Sequence, residues 1–170
     1  YTLFAPNRGD HRTERSIITA AVAACLLASA SPGHALDDTR MKAAASDTSN
    51  WLLHSRDYTN QRFSPLDQIN TGNAAKLVPK FIYQTGINCT FSTTPVVADG
   101  IMYISTPFSN VVAIDAVTGK EKWRYEHKRT VDKLCCGPSN RGVSLGYGKV
   151  FIGTVDARLI ALDQETGKKV

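Results

Sequence analysis

A repeat of 48 residues constrains this chain more than any other feature. Residues 100–106 (GIMYIST) recur as 148–154 (GKVFIGT), and 111–120 (VVAIDAVTGK) recur as 159–168 (LIALDQETGK), with no gap in either match. Gly100/Gly148, Ile104/Ile152, Thr106/Thr154, Ala113/Ala161, Asp115/Asp163, Thr118/Thr166, Gly119/Gly167 and Lys120/Lys168 are identical, and apolar residues match between them. Self-similarity at this period marks units that cannot cover their own apolar faces and stack on copies of themselves.

Within each unit the pattern is one of short strands between turns. In the first unit the expected strands are 95–98, 101–106, 111–115 and 120–126, with turns at Asp99-Gly100 and Thr118-Gly119. Asp-Gly between apolar runs is a strong hairpin signal. Four antiparallel strands in 40 to 50 residues is the size of a propeller blade. The fold class expected is therefore all-β: a partial β-propeller of about two four-stranded blades. The second copy stops at Val170, where the next residue would be a Trp equivalent to Trp123, and the chain opens on Tyr1. Both ends are expected to be cut. Ahead of the repeat, 70–76 reads as one helical turn and 77–84 as a strand.

The first 35 residues point to export. His11, Arg12 and Arg15 give a positive start, residues 16–30 are almost wholly apolar or small, and Gly33-His34-Ala35 offers small residues for cleavage. This is the pattern of a secretory signal peptide. Its apolar run of about 15 residues is shorter than the ~20 a spanning helix needs, so no stable membrane span is expected. The domain reading is a signal peptide with upstream residues over 1–35, a flexible lead over 36–50, and the propeller segment over 51–170. From Leu36 onward 17 Lys/Arg face 13 Asp/Glu without a basic block, which argues against a nucleic-acid surface. Removing the signal leaves Cys89, Cys135 and Cys136. An exported protein meets an oxidising compartment that permits disulfides, and an odd count leaves one thiol over.

The residues that carry chemistry cluster late in the chain. Cys135 and Cys136 are adjacent, and a trans peptide holds their Cα atoms about 3.8 Å apart, below the usual disulfide range. From the dipeptide alone, a strained disulfide, two structural thiols and two metal ligands all remain open. Subtracting 48 maps the pair onto Ile87 and Asn88, between the outer strand of one unit and the inner strand of the next. Such connections lie on one rim of a propeller, so Cys135, Cys136, Asn140 and Arg141 are expected to face the axis. An Arg there can hold a carboxylate in a fork.

Three stretches then resemble one family. Residues 113–123 (AIDAVTGKEKW) resemble the tryptophan-docking motif of quinoprotein propellers. Residues 51–70 (WLLHSRDYTNQRFSPLDQIN) and the Cys135-Cys136…Asn140-Arg141-Gly142 loop resemble the methanol/ethanol dehydrogenase family of quinoproteins, which depend on pyrroloquinoline quinone (PQQ). The resemblance implies an eight-bladed propeller of which this chain holds the N-terminal part. It implies a disulfide between Cys135 and Cys136 that stacks over PQQ, and contact between Arg141 and the polar edge of the cofactor. Where the family often has Glu, this chain has Ser92, whose hydroxyl is the expected substitute contact. Cys89 maps onto Gly137 and so onto the same rim.

The same resemblance implies a reaction: a small alcohol is oxidised to an aldehyde in the periplasm, and the electrons pass to a cytochrome c. A Ca²⁺ or lanthanide ion acts as Lewis acid. The catalytic base and metal ligands are expected in later blades, so no catalytic and no metal-binding residue is assigned to this chain. The alternative is a non-catalytic propeller, a scaffold or binding protein with the same docking repeats, which would lack the 135–142 rim.

Overall fold

The computed structural model describes residues 36–134 and 136–170. The expected signal peptide and Cys135 lie outside the described residues. A helix α1 (Asp38–Lys42) opens the described chain, and a single 3-10 turn (Ala74–Lys76) falls in the stretch where a helical turn was expected. Seven strands follow: β1 (Val96–Ala98), β2 (Ile101–Thr106), β3 (Asn110–Asp115), β4 (Glu121–Tyr125), β5 (Ser144–Gly146), β6 (Lys149–Gly153) and β7 (Leu159–Asp163). They form two antiparallel meanders, β1-β2-β3-β4 and β5-β6-β7.

The 48-residue offset holds at the level of register. Val96 faces Tyr103 as Ser144 faces Phe151, and Tyr103 faces Ala113 as Phe151 faces Ala161. Ile114 pairs with Glu121 in the first sheet; the bridge between Leu162 and Lys169 stands at the same place in the second. The β1–β2 turn has positive φ at both Asp99 and Gly100, as a tight type I′ turn requires. Its counterpart puts Tyr147 in that strained position, and Tyr147 is held there by its N–H on the Leu36 carbonyl (2.7 Å) and its hydroxyl on Asp38 (2.8 Å).

One face of each sheet meets the other. Val96, Ala98, Tyr103, Val111 and Ala113 of the first share a core with Leu145, Val150, Ile152, Ile160 and Leu162 of the second. Alternation along the strands sends Ile104, Val112 and Ile114 to the opposite face, where Tyr83 and Met102 pack on them. Trp123 closes the sheet-to-sheet contact. Its indole N–H donates to the Gln164 carbonyl at 3.1 Å, and its ring lies so close over Gly167 that a Cβ there would sit 2.5 Å from a ring carbon. This is the docking expected of the Trp.

Two segments differ from expectation. Residues 36–50 are not a loose lead. Asp37 caps α1, Arg40 forms a two-pronged ion pair with Asp99 (2.9 and 2.5 Å), and Leu36 and Ala44 are buried in the core. Polar composition hid a few apolar anchors. Among the described residues nothing pairs with 77–84 as a strand; an extended run becomes a strand only where a neighbour meets its backbone. Phe81 instead lies over Gly119 as Trp123 lies over Gly167. Tyr83 donates to Glu121 and receives a 2.7 Å bond from Arg124, and burial followed by the Glu121 bond pushes its hydroxyl up to about 12.

Candidate functional site

The β2–β3 turn, the β6–β7 turn and the long β4–β5 connection emerge at one end of the sheets, and of the expected site residues Ser92, Cys136 and Arg141 belong to that end. Two backbone segments run side by side there. The Thr94 N–H donates to the Arg141 carbonyl at 3.0 Å, which aligns the approach to β1 with the approach to β5. Thr93 Oγ1 accepts from the Ser105 N–H (3.1 Å), and Ser105 Oγ reaches the Asn140 carbonyl (3.4 Å). Asn140 fixes its own turn. Its Oδ1 accepts from the Gly142 N–H (2.9 Å) and its amide donates to the Gly153 carbonyl (2.8 Å). Gly142 has φ +132, and a Cβ there would stand 2.8 Å from the Thr94 carbonyl oxygen. The residue types of 140–142 thus follow from the geometry: a side-chain amide to cap, a glycine for close approach, and between them a residue whose side chain points away from both.

That residue is Arg141. It is exposed, as is Ser92 two positions before Thr94. Among the described residues neither the Arg141 guanidinium nor the Ser92 hydroxyl has a hydrogen-bond partner. The two are donors left over after the rim has satisfied itself, which suits an anionic planar ligand. Cys136 and Cys89 are exposed; the pairing of Cys136 with Cys135 falls outside the described residues. Among the described residues no three His, Cys, Asp or Glu side chains converge as a metal site would need.

A buried polar cluster that the sequence reading missed lies beside this rim. The Asp156 carboxylate, at the tip of the β6–β7 turn, is fully buried and accepts from Thr154 Oγ1 (2.5 Å), His127 Nε2 (2.8 Å), Thr130 Oγ1 (2.9 Å) and Thr130 N–H (3.1 Å). The Thr154 hydroxyl first, then His127 and Thr130, hold it well below the usual carboxylate range against the opposing effect of burial. His127 also receives an anchor at its N–H from Asn110 Oδ1 (2.9 Å). Arg129 lies over the Phe108 ring at 4.8 Å, and shallow clefts of about 290 and 280 Å³ flank His127.

Comparison with known proteins decides the family. The β-propeller domain of the PQQ-dependent glucose/ethanol/alcohol dehydrogenases matches residues 51–170. The chain belongs to that family. It is 39% identical over 165 residues to the dehydrogenase subunit of a quinone alcohol dehydrogenase from Gluconobacter oxydans, covering 93% of this chain and 22% of that protein. The crystal structure of the quinohemoprotein alcohol dehydrogenase of Comamonas testosteroni matches with TM-score 0.73 and 42% identity, over 79% of this chain and 21% of that one. A europium-containing methanol dehydrogenase matches with TM-score 0.72 and 30% identity, over 78% and 24%. The chain therefore spans about a fifth to a quarter of the length of these relatives. The two sheets are propeller blades, and the family is one of dehydrogenases.

Proposed function

We propose that this chain forms one side of the cofactor site of a periplasmic PQQ-dependent alcohol dehydrogenase, exported by the signal peptide in residues 1–35. The whole protein oxidises a small alcohol to an aldehyde and passes electrons to a cytochrome c. The observation that supports this reading is the bond between the Thr94 N–H and the Arg141 carbonyl, which aligns the segment that carries Ser92 with the segment that carries Arg141.

Bound PQQ would supply the quinone carbonyl that takes up hydride from the alcohol carbon. The roles of this chain's residues are binding and orientation. Arg141 offers its fork to a cofactor carboxylate, with the geometry that a lysine lacks. Ser92 donates a hydroxyl where a carboxylate would have been a second negative charge facing a polyanion. A disulfide between Cys135 and Cys136 gives a stiff, apolar surface that lies flat on a planar ring. A Ca²⁺ or lanthanide ion would supply Lewis-acid chemistry in the whole protein.

The test is titration of PQQ into the complete gene product. Arg141→Ala removes a charge-assisted hydrogen bond worth roughly 1.5–3 kcal/mol, so the dissociation constant should rise by about ten- to a hundredfold. Arg141→Lys should restore part of the loss. An unchanged titration curve for Arg141→Ala would remove the residue from the site.

A further inference from the structure

We propose that Asp156, acting on His127 and Thr130, is a positioning residue for the cysteine-bearing connection, a role that rests on the reading of this rim as a PQQ site. Within its own turn the Asp156 carboxylate accepts only from Thr154 Oγ1 (2.5 Å); His127 and Thr130 reach it from the β4–β5 connection. The β2–β3 turn has the same register, with Thr106 opposite Asn110 as the Thr154 N–H meets the Arg158 carbonyl, and there the equivalent residue is Phe108. Asp156 is thus a departure from the repeat in residue type, and the backbone departs with it: φ is positive at Phe108 and Ser109 in the first turn and at Ala157 alone in the second. Burying a carboxylate is costly unless its lone pairs are filled. Asp156 fills them with donors from residues 127, 130 and 154; two of these positions open the β4–β5 connection. Arg158 stands at 3.5 Å on the solvent side, and the Tyr125 hydroxyl lies 3.4 Å from His127 Nδ1.

The far end of the connection is fixed as well. The Pro138 carbonyl accepts from the Phe108 N–H at 2.9 Å, and Ser109 Oγ accepts from the Val155 N–H at 2.9 Å. Phe108 and Ser109 both hold positive φ, a conformation that bulky residues keep only when their surroundings impose it. The two turns are therefore tied to each other, one grips the connection at Thr130, and the other grips it at Pro138. The stretch of sequence between these two fixed points carries both cysteines. A lid that must lie flat on a planar cofactor gains affinity when its ends are set before the ligand arrives.

The experiment uses the complete gene product and three readouts: PQQ affinity, amide hydrogen exchange across 130–138, and the melting temperature. Asp156→Ala is expected to speed exchange in 131–137 at least tenfold and to weaken PQQ by about tenfold, with exchange in β1–β3 unchanged. Thr130→Ser keeps the hydroxyl and should behave as wild type. Thr130→Ala, which removes one donor and no charge, replaces Asp156→Ala if the latter does not fold, and should shift both readouts in the same direction. Faster loop exchange with unchanged PQQ affinity overturns the positioning role, and so does unchanged loop exchange. A wild-type protein that binds no PQQ would sink the proposed function; loop exchange alone then decides whether Asp156 holds the connection.

Discussion

Gly142 shows how little freedom the rim leaves a single residue. Its φ of +132 is closed to side-chain-bearing residues, and its backbone approaches Thr94 too closely for a Cβ. Gly142→Ala has to break the bond between the Thr94 N–H and the Arg141 carbonyl or accept a strained backbone. Such strain costs of order 1–3 kcal/mol. Urea denaturation should show that loss of stability, with weaker PQQ binding because Ser92 and Arg141 no longer share one rim. Full stability in the Ala variant would mean that the two segments are free to part. The run of Asn140, Arg141 and Gly142 was singled out in the sequence by its place in the repeat and by its resemblance to the family loop, and the separate local duties of Asn140 and Gly142 emerge only in the structure. Asp156 was not. It meets Thr130 and His127 across 26 and 29 positions of chain, and one sequence carries no sign of such a meeting. The available clue was the break in the repeat, Asp156 standing where the first unit has Phe108.

At the scale of the element, the repeated turn is the unit of construction. Asp115 Oδ1 accepts from the Thr118 N–H and hydroxyl, both at 2.8 Å; Asp163 Oδ1 accepts from the Thr166 N–H at 2.8 Å and its hydroxyl at 2.6 Å. These bonds to the charged form hold both carboxyls below their usual range. A depressed folded value means stability that is present above the unfolded Asp value of about 3.9 and lost as pH falls through the folded one. The double variant Asp115→Asn, Asp163→Asn keeps an acceptor oxygen at each turn but no titrating group. Its melting temperature at neutral pH should drop only slightly, and its decline below about pH 4 should be shallower than that of wild type. An acid limb of the same slope would show that the turns contribute nothing to acid lability. All four strands of the first blade were legible because a gapless repeat fixes both the period and the turns. The 77–84 run was not, since alternation tells which residues share a face and not whether a neighbouring strand exists. Phe81 and Tyr83 point inward and Ile82 outward, as a strand would have it, yet the backbone is unpaired.

Across the whole molecule, the two blades cover each other through one interface, and much apolar surface remains outside it. Tyr58, Phe63, Ile69, Leu77, Val78 and Ile82 are each at least 60% exposed. All come from the segment between α1 and β1, which buries only a few side chains against the first blade. Scattered exposed apolar residues are ordinary, but a concentration along one stretch of chain marks a surface meant to be covered. Extended backbone adds to the hazard, because among the described residues 78–84 has no backbone hydrogen bond and leaves its C=O groups, and its N–H groups other than at Pro79, open to another strand. The isolated 170-residue chain is therefore expected to self-associate, with a sedimentation coefficient that rises with concentration. Val78→Ser with Ile82→Ser alters two outward side chains that pack on nothing in the described residues, so it should reduce association without lowering the melting temperature. Phe81→Ser is the internal control. Its ring lies over Gly119, and losing it should destabilise the first blade and worsen association. A monomeric wild-type chain across the concentration range would show that this stretch covers itself, and would remove the reason to expect a further strand beside it.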